Sequence, residues 1–159
     1  MATAAMDDLA DRYADRAVSS VFLYTREAHP GENYRHHTSR EDKRANAGAF
    51  QEQYGVRRPI LLDTLEGDAH RAYGVLPNMT WIIGRGGIVQ YKAAWTDAGH
   101  VEQALLYALD TQDRKAKEGL TPFYSETLSW RQRDDEAFKE GLKRTGPQAV
   151  EDFYGTKKN

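Results

Sequence analysis

The segment from Met79 to Lys92 constrains the fold of this chain more than any other. Two apolar runs, Met79–Ile83 and Ile88–Lys92, are separated by Gly-Arg-Gly-Gly. Glycine supplies the positive φ angles that tight strand-to-strand turns require, so the pattern predicts an antiparallel hairpin. Two further strands are predicted upstream, Ala17–Thr25 (AVSSVFLYT) and Pro59–Asp63 (PILLD). The first ends without polar alternation, which suits a strand covered on both faces, and the second reads as a short buried strand ending on a carboxylate. Between them, Ser39 followed by Asp42 predicts a capped helix running to about Tyr54 and stopping at Gly55. Strands joined through a helix pair in parallel, because a parallel connection needs a crossover.

The remaining elements follow from periodicity. Residues 4–16 place Met6, Leu9 and Tyr13 on one helical face. Asp68–Tyr73 reads as one or two helical turns closed by Gly74. Gly99–Leu109 is amphipathic, with Val101, Ala104, Leu105 and Ala108 on one side. The class is therefore α/β: a parallel sheet ending in an antiparallel hairpin, flanked by helices. Composition changes after Asp110, which divides the chain into a domain at 1–110 and a C-terminal helical extension at 111–159. Residues 111–119 (TQDRKAKEG) read as a solvated connection or a frayed helix end. Beyond them come Phe123, Tyr124, Trp130, Phe138, Phe153 and Tyr154, with a helical stretch at about 134–144. That extension is expected to pack on the domain or on a partner.

Several functions are disfavoured at this level. The 22 basic and 24 acidic residues are interspersed and the net charge is −2, which argues against a nucleic-acid partner. The first ten residues lack a basic region, and no apolar run approaches the ~20 residues that span a bilayer. The expectation is a cytoplasmic protein with no membrane partner. The absence of cysteine excludes a disulfide framework, a cysteine-ligated zinc and a thiol nucleophile within these residues. Glu27, His29, His36, His37, Asp63 and His70 have ligand atoms but no metal-site spacing, so no metal and no cofactor are expected.

Four segments carry a family resemblance. They are REAHPGE at 26–32, HHTSREDK at 36–43, PILLDTLEG at 59–67 and YGVLPNMTWIIGRGGIVQYK at 73–92. Together with the element order they resemble the thioredoxin-like redoxins of the iodothyronine-deiodinase-like family, over roughly residues 4–110. The resemblance implies a thioredoxin-like fold with a cis proline, Pro77, just before the first hairpin strand. It implies an oxidoreductase with a cysteine or selenocysteine nucleophile at the start of the first helix. The matching position lies at or before Met1. The strand that precedes it, central in the family's sheet, has no counterpart either. An empty central position leaves two rows of backbone groups unpaired, at on the order of 1–3 kcal/mol per buried group. Three arrangements would account for this. The native start lies upstream; another chain or the C-terminal extension supplies the strand; or the nucleophile is lost and the role has changed.

The same resemblance assigns Glu27 and His29 to a pocket and a proton relay, with His36 preferred over His37 as the family's later histidine. A carboxylate beside an imidazole orients it and tunes its pKa, which suits such a relay. Pro77 would shape the pocket floor. The plainer alternatives are a polar loop with a surface ion pair for Glu27 and His29, a solvated His36, and a simple strand-start proline. Asp63 is read as a capping residue, His70 as a surface residue and Trp81 as core or interface. Trp95 lies in AAWTDAGH, which departs from the family's glycine-rich segment and argues against iodothyronine specificity. The expected activity is deiodinase-like or peroxiredoxin-like oxidoreduction on a small molecule or thiol, inactive as a thiol enzyme in these residues alone. The competing class is a non-catalytic binding module, with a protein partner or a second copy held through the sheet or the C-terminal extension.

Overall fold

The structure is a computed structural model that describes residues 2–121, 123–128 and 134–155. Trp130 lies outside the described residues. The helices are α1 (Thr3–Arg12), α2 (Arg40–Tyr54), α3 (Asp68–Tyr73), α4 (Ala98–Glu118), α5 (Asp135–Thr145) and α6 (Pro147–Tyr154). The strands are β1 (Phe22–Tyr24), β2 (Ile60–Leu62), β3 (Thr80–Ile83), β4 (Val89–Ala93) and β5 (Ser125–Thr127). Mixed α/β architecture is as the sequence reading expected. The strands, however, form two sheets rather than one: β1 with β2, and β3–β4–β5. The chain divides into two compact units, one of residues 1–19 and 76–131, the other of 20–75 and 132–159.

In the first unit, β3 and β4 form the antiparallel hairpin, with Trp81 opposite Lys92. The Lys92 ammonium sits 5.4 Å from the Trp81 ring centroid and 3.0 Å from Glu126. The hairpin does not end the sheet. β5 pairs in parallel with β4, Tyr91 opposite Ser125. The C-terminal segment thus adds a strand at the edge of β4 away from β3. Met6 and Leu9 of α1 pack with Tyr91, Ala93, Val101, Leu105 and Leu109 into one buried cluster. The 3.6-residue spacing of the apolar positions in α1 and α4 produces this shared face. Tyr13 and Arg12 both reach Glu102, tying α1 to α4 across the rim of the cluster. Helix α4 runs through 110 and 111 to Glu118, where Gly119 closes it in a left-handed conformation. Arg114 pairs with Asp110 and Glu118 one turn either side, so a segment without apolar periodicity still holds helical form.

In the second unit, β1 and β2 pair in parallel, with Phe22, Leu23 and Tyr24 opposite Ile60, Leu61 and Leu62. Both strands are shorter than the apolar runs that contain them. Phe22 and Tyr24 face α2, where their rings lie 5.0 and 6.1 Å from that of Phe50. Leu61 and Leu62 are exposed, contrary to the expectation of a short buried strand. Helix α2 packs on one face of this sheet, and Leu61, paired with Leu23, belongs to the other face. Helix α2 starts as predicted: Ser39 accepts the Asp42 N–H, and the Asp42 carboxylate accepts the Ser39 N–H. It ends at Gly55 with φ 59°. Helices α5 and α6 form a hairpin joined at Gly146.

Removing one arm of the capping box should loosen α2. Ser39→Ala is expected to cost about 1 kcal/mol, read as a lower urea midpoint at unchanged m-value and faster amide exchange in residues 40–46.

Candidate functional site

In parallel strands the C-terminal edge is where successive turns converge and where polar groups of a site collect. Tyr24 closes β1 and Asp63 follows β2, and the Asp63 N–H donates to the Tyr24 carbonyl at 3.1 Å. Around this edge the second unit gathers Tyr24, Glu27, His37, Lys43 and Asp63. All five are buried or half-buried.

Tyr24 is buried and its hydroxyl donates to the Glu27 carboxylate. The His37 ring lies 5.6 Å from the Tyr24 ring, and its Nε2 is 3.9 Å from Glu27 Oε1. The His37 side chain is only 6% exposed and the Glu27 side chain 21%. Burial pushes the Glu27 carboxyl pKa up, more than the Tyr24 hydrogen bond and the nearby His36 lower it. Burial pushes the His37 imidazole down; the Lys43 and His36 charges push the same way, and Asp42 opposes. Burial and the Glu27 carboxylate hold the Tyr24 phenol well above its ordinary value. Carboxyl and imidazole are therefore both driven toward their neutral forms. Burial thus works against an ion pair across their 3.9 Å approach. His37 Nε2 is buried without a hydrogen-bond partner, an unusual state for an imidazole nitrogen and one a ligand or substrate proton would relieve.

Asp63 has the structural task foreseen for it. It accepts from the N–H groups of Thr64, Ala69 and His70 at 2.8, 2.9 and 2.9 Å, which satisfies the free donors at the start of α3. Burial alone would raise its pKa, but those three donors and Lys43 hold it below the ordinary range. Lys43 is buried and donates to the Thr64 carbonyl at 2.8 Å. Desolvation lowers its pKa against the opposing charges of Asp63 and Glu66. His70 is half-buried beside this cap rather than at the surface.

The residues predicted from sequence are not all brought together. Glu27 is in the cluster. His37, not His36, is its buried imidazole; His36 is exposed, although its charge reaches Glu27. His29 turns away to the C-terminal helices, edge-on to Phe138 and Phe153. Burial lowers its pKa. Pro77 belongs to the other compact unit and is exposed. The expected cis peptide is absent: every described peptide bond is trans. Pro77 is instead followed by Asn78 at φ 60° in a turn, the pairing in which proline presets one central position and asparagine tolerates the left-handed next one. Trp81 and Trp95 are half-buried.

Lys43 and Tyr24 were not identified in advance. A lysine in the first turns of α2 and a tyrosine in an apolar strand carry no local signal of a shared site. Among the described residues no three His, Asp or Glu side chains converge on one point, and no helix is long and apolar enough to cross a membrane. No known family description, curated protein or solved structure matches this chain.

Replacing Asp63 should expose how strongly this edge depends on it. Asp63→Ala leaves three backbone donors without their acceptor and takes from buried Lys43 one of its two opposing charges, at a cost of about 2–4 kcal/mol. Because the folded-state pKa is depressed, the native carboxylate's contribution is fully present above about pH 4 and is lost as pH falls through the lower folded value. Urea denaturation at pH 7 and pH 2.5 should therefore show the wild-type advantage over Asp63→Ala shrinking in acid.

Proposed function

We propose that this chain is the acid–base part of a thioredoxin-fold oxidoreductase resembling the deiodinase-like redoxins, working with a thiol or selenol that lies outside these 159 residues. One observation carries the reading. The carboxyl and imidazole at Glu27 and His37 are buried, shifted toward neutrality and grouped with Tyr24 at the C-terminal edge of parallel strands. A carboxyl with a raised pKa keeps its proton into the range where an ordinary one has lost it. That is the property of a general acid.

In this reading the external thiolate or selenolate attacks the terminal oxygen of a hydroperoxide. The O–O bond breaks and the leaving alkoxide takes the Glu27 proton. The resulting sulfenic or selenenic acid is reduced by two thiols, which leave as a disulfide with release of water. The regenerated thiol or selenol ionises again, and the proton it releases returns to the Glu27 carboxylate beside His37. With a halogenated aromatic the thiolate or selenolate would attack the halogen, forming a sulfur–halogen or selenium–halogen bond as the carbon–halogen bond breaks. The carbanion takes the Glu27 proton, and two thiols then release the halide and leave as a disulfide. Pro77 enters as a floor residue only by resemblance.

A second reading is a non-catalytic thioredoxin-fold module in a protein complex. It is favoured by the absence of cysteine and by the engagement of His29 with the C-terminal helices.

The two readings separate on the gene product purified from its own host. The oxidoreductase reading expects a titratable thiol or selenol, on the chain at a mass above 18.0 kDa or on a co-purifying subunit. It also expects dithiol-dependent peroxide reduction or iodide release, with Glu27→Gln lowering turnover by roughly 100-fold. An 18.0 kDa product free of thiol, selenol and thiol-bearing partner would overturn it and leave the binding module.

A further inference from the structure

The loop between β1 and α2 and the C-terminal hairpin α5–α6 are joined by four contacts of different kinds. The His29 ring packs edge-to-face against both Phe138 of α5 and Phe153 of α6, 5.4 Å from each centroid, and with those two rings 4.8 Å apart the three form a triangle. The Glu32 carboxylate accepts from the Gln148 N–H at the start of α6, 3.0 Å from each oxygen. Asn33 donates to two carbonyls at the end of α5, from its N–H to Thr145 and from its side chain to Arg144, both at 2.9 Å. Gly31 lies so near Thr145 that a Cβ would meet its carbonyl oxygen at 2.6 Å. Only glycine fits there. Sequence positions more than 100 apart thus build one seat for a histidine.

We propose that α5–α6 is a proton-sensitive clamp, which holds the His29–Asn33 loop while His29 is neutral and releases it when His29 takes up a proton. An imidazole packed against two phenylalanine rings loses water where they cover it, and that burial disfavours its charged form. The groups facing His29 are few. From α6, Asp152 shares with His29 the wall of a cavity of about 140 Å³, and its Oδ1 already accepts from Gln148 Nε2 at 2.6 Å. From α5 the facing group is the Phe138 ring. On the loop itself, Glu32 is engaged with α6 and Glu27 with Tyr24. Burial is the cause that shifts the imidazole, and it lowers the pKa.

The direction follows from linkage. Above about pH 7.5 the imidazole is neutral whether docked or released, and docking is at full strength. Below about 6.5 the released loop binds a proton that the docked loop refuses, so release is favoured down to the lower docked pKa. The opening equilibrium rises about tenfold for each unit by which docking lowers the pKa. Holding His29 in this seat also withholds it from any proton transfer elsewhere. The clamp does not rest on the redox reading and stands or falls separately.

Amide exchange of residues 135–154, corrected for intrinsic rates, at pH 7.5 and 5.0 is the test. The full chain should show a severalfold or greater rise in the opening equilibrium at pH 5.0. His29→Phe, which keeps an aromatic ring and removes the titration, should be unresponsive to acid. Glu32→Gln should keep the acid response, since the titrating group is elsewhere. A wild-type chain that does not respond, an equal response in His29→Phe, or a response abolished only by Glu32→Gln would each overturn the clamp. Should His29→Phe fail to fold, the His29 ring titration followed by NMR decides. Resonances of His29, Phe138 and Phe153 should share one midpoint below 6.5, and separate midpoints would overturn the proposal.

Discussion

The parallel pairing of Phe22–Tyr24 with Ile60–Leu62 is the contact on which the site depends. Its register sets the Tyr24 carbonyl against the Asp63 N–H, and so brings the ends of two strands level. From there the chain has short reaches to cover. Tyr24 meets Glu27 three residues on, Asp63 caps α3, and Lys43 crosses from α2 to the Thr64 carbonyl. A slip of one residue would turn Tyr24 from the α2 side to the other face of the sheet and dismantle the group at once. The stacking of Phe22 and Tyr24 on Phe50 resists that slip, because an alternating pattern tolerates only even shifts.

The chemistry of the cluster comes from desolvation more than from pairing. A Glu and a His in water near pH 6 would be oppositely charged and attract. Here burial disfavours both charges, and the Lys43 ammonium further disfavours a proton on His37. The result is a carboxyl whose pKa burial raises beside an imidazole whose pKa it lowers, with one imidazole nitrogen unsatisfied. Such an arrangement has little value to stability, since an orphaned polar atom costs free energy. It makes sense as a place where a proton is passed on. Lys43 and Asp63 serve it differently, one as a fixed positive charge and the other as the cap that keeps Lys43 and α3 in place.

The local elements were legible in the sequence because their signals are local. Ser39 with Asp42, Gly55, Gly74 and the Gly84–Gly87 turn each mark a boundary that the structure places within a residue or so. β5 was not legible: Ser-Glu-Thr has no apolar pattern, and its pairing with Tyr91–Ala93 is settled by contacts some 34 residues away in sequence. The extension of α4 to Glu118 was obscured because charged residues paired at i, i+4 stabilise a helix without leaving an apolar stripe. The cis bond that the resemblance implies at Pro77 is absent, and the Pro-Asn pair, itself a turn signal, is the local feature that corresponds to the turn found there. Whether His36 or His37 turns inward depends on the path of an irregular loop, which adjacent identical residues cannot reveal. The seat of His29 against Phe138 and Phe153 joins segments over 100 residues apart and has no sequence signature at all.

An NMR pH titration of the Glu27 carboxyl carbon and the His37 ring nitrogens in the intact chain tests the central claim most directly. The account predicts a Glu27 midpoint above the ordinary ~4.3 and a His37 midpoint below the ordinary ~6.5, with His37 neutral at pH 7. Ordinary or opposite shifts, a low carboxyl and a high imidazole, would mark a solvated ion pair and contradict the reading of this edge as a buried proton-handling site.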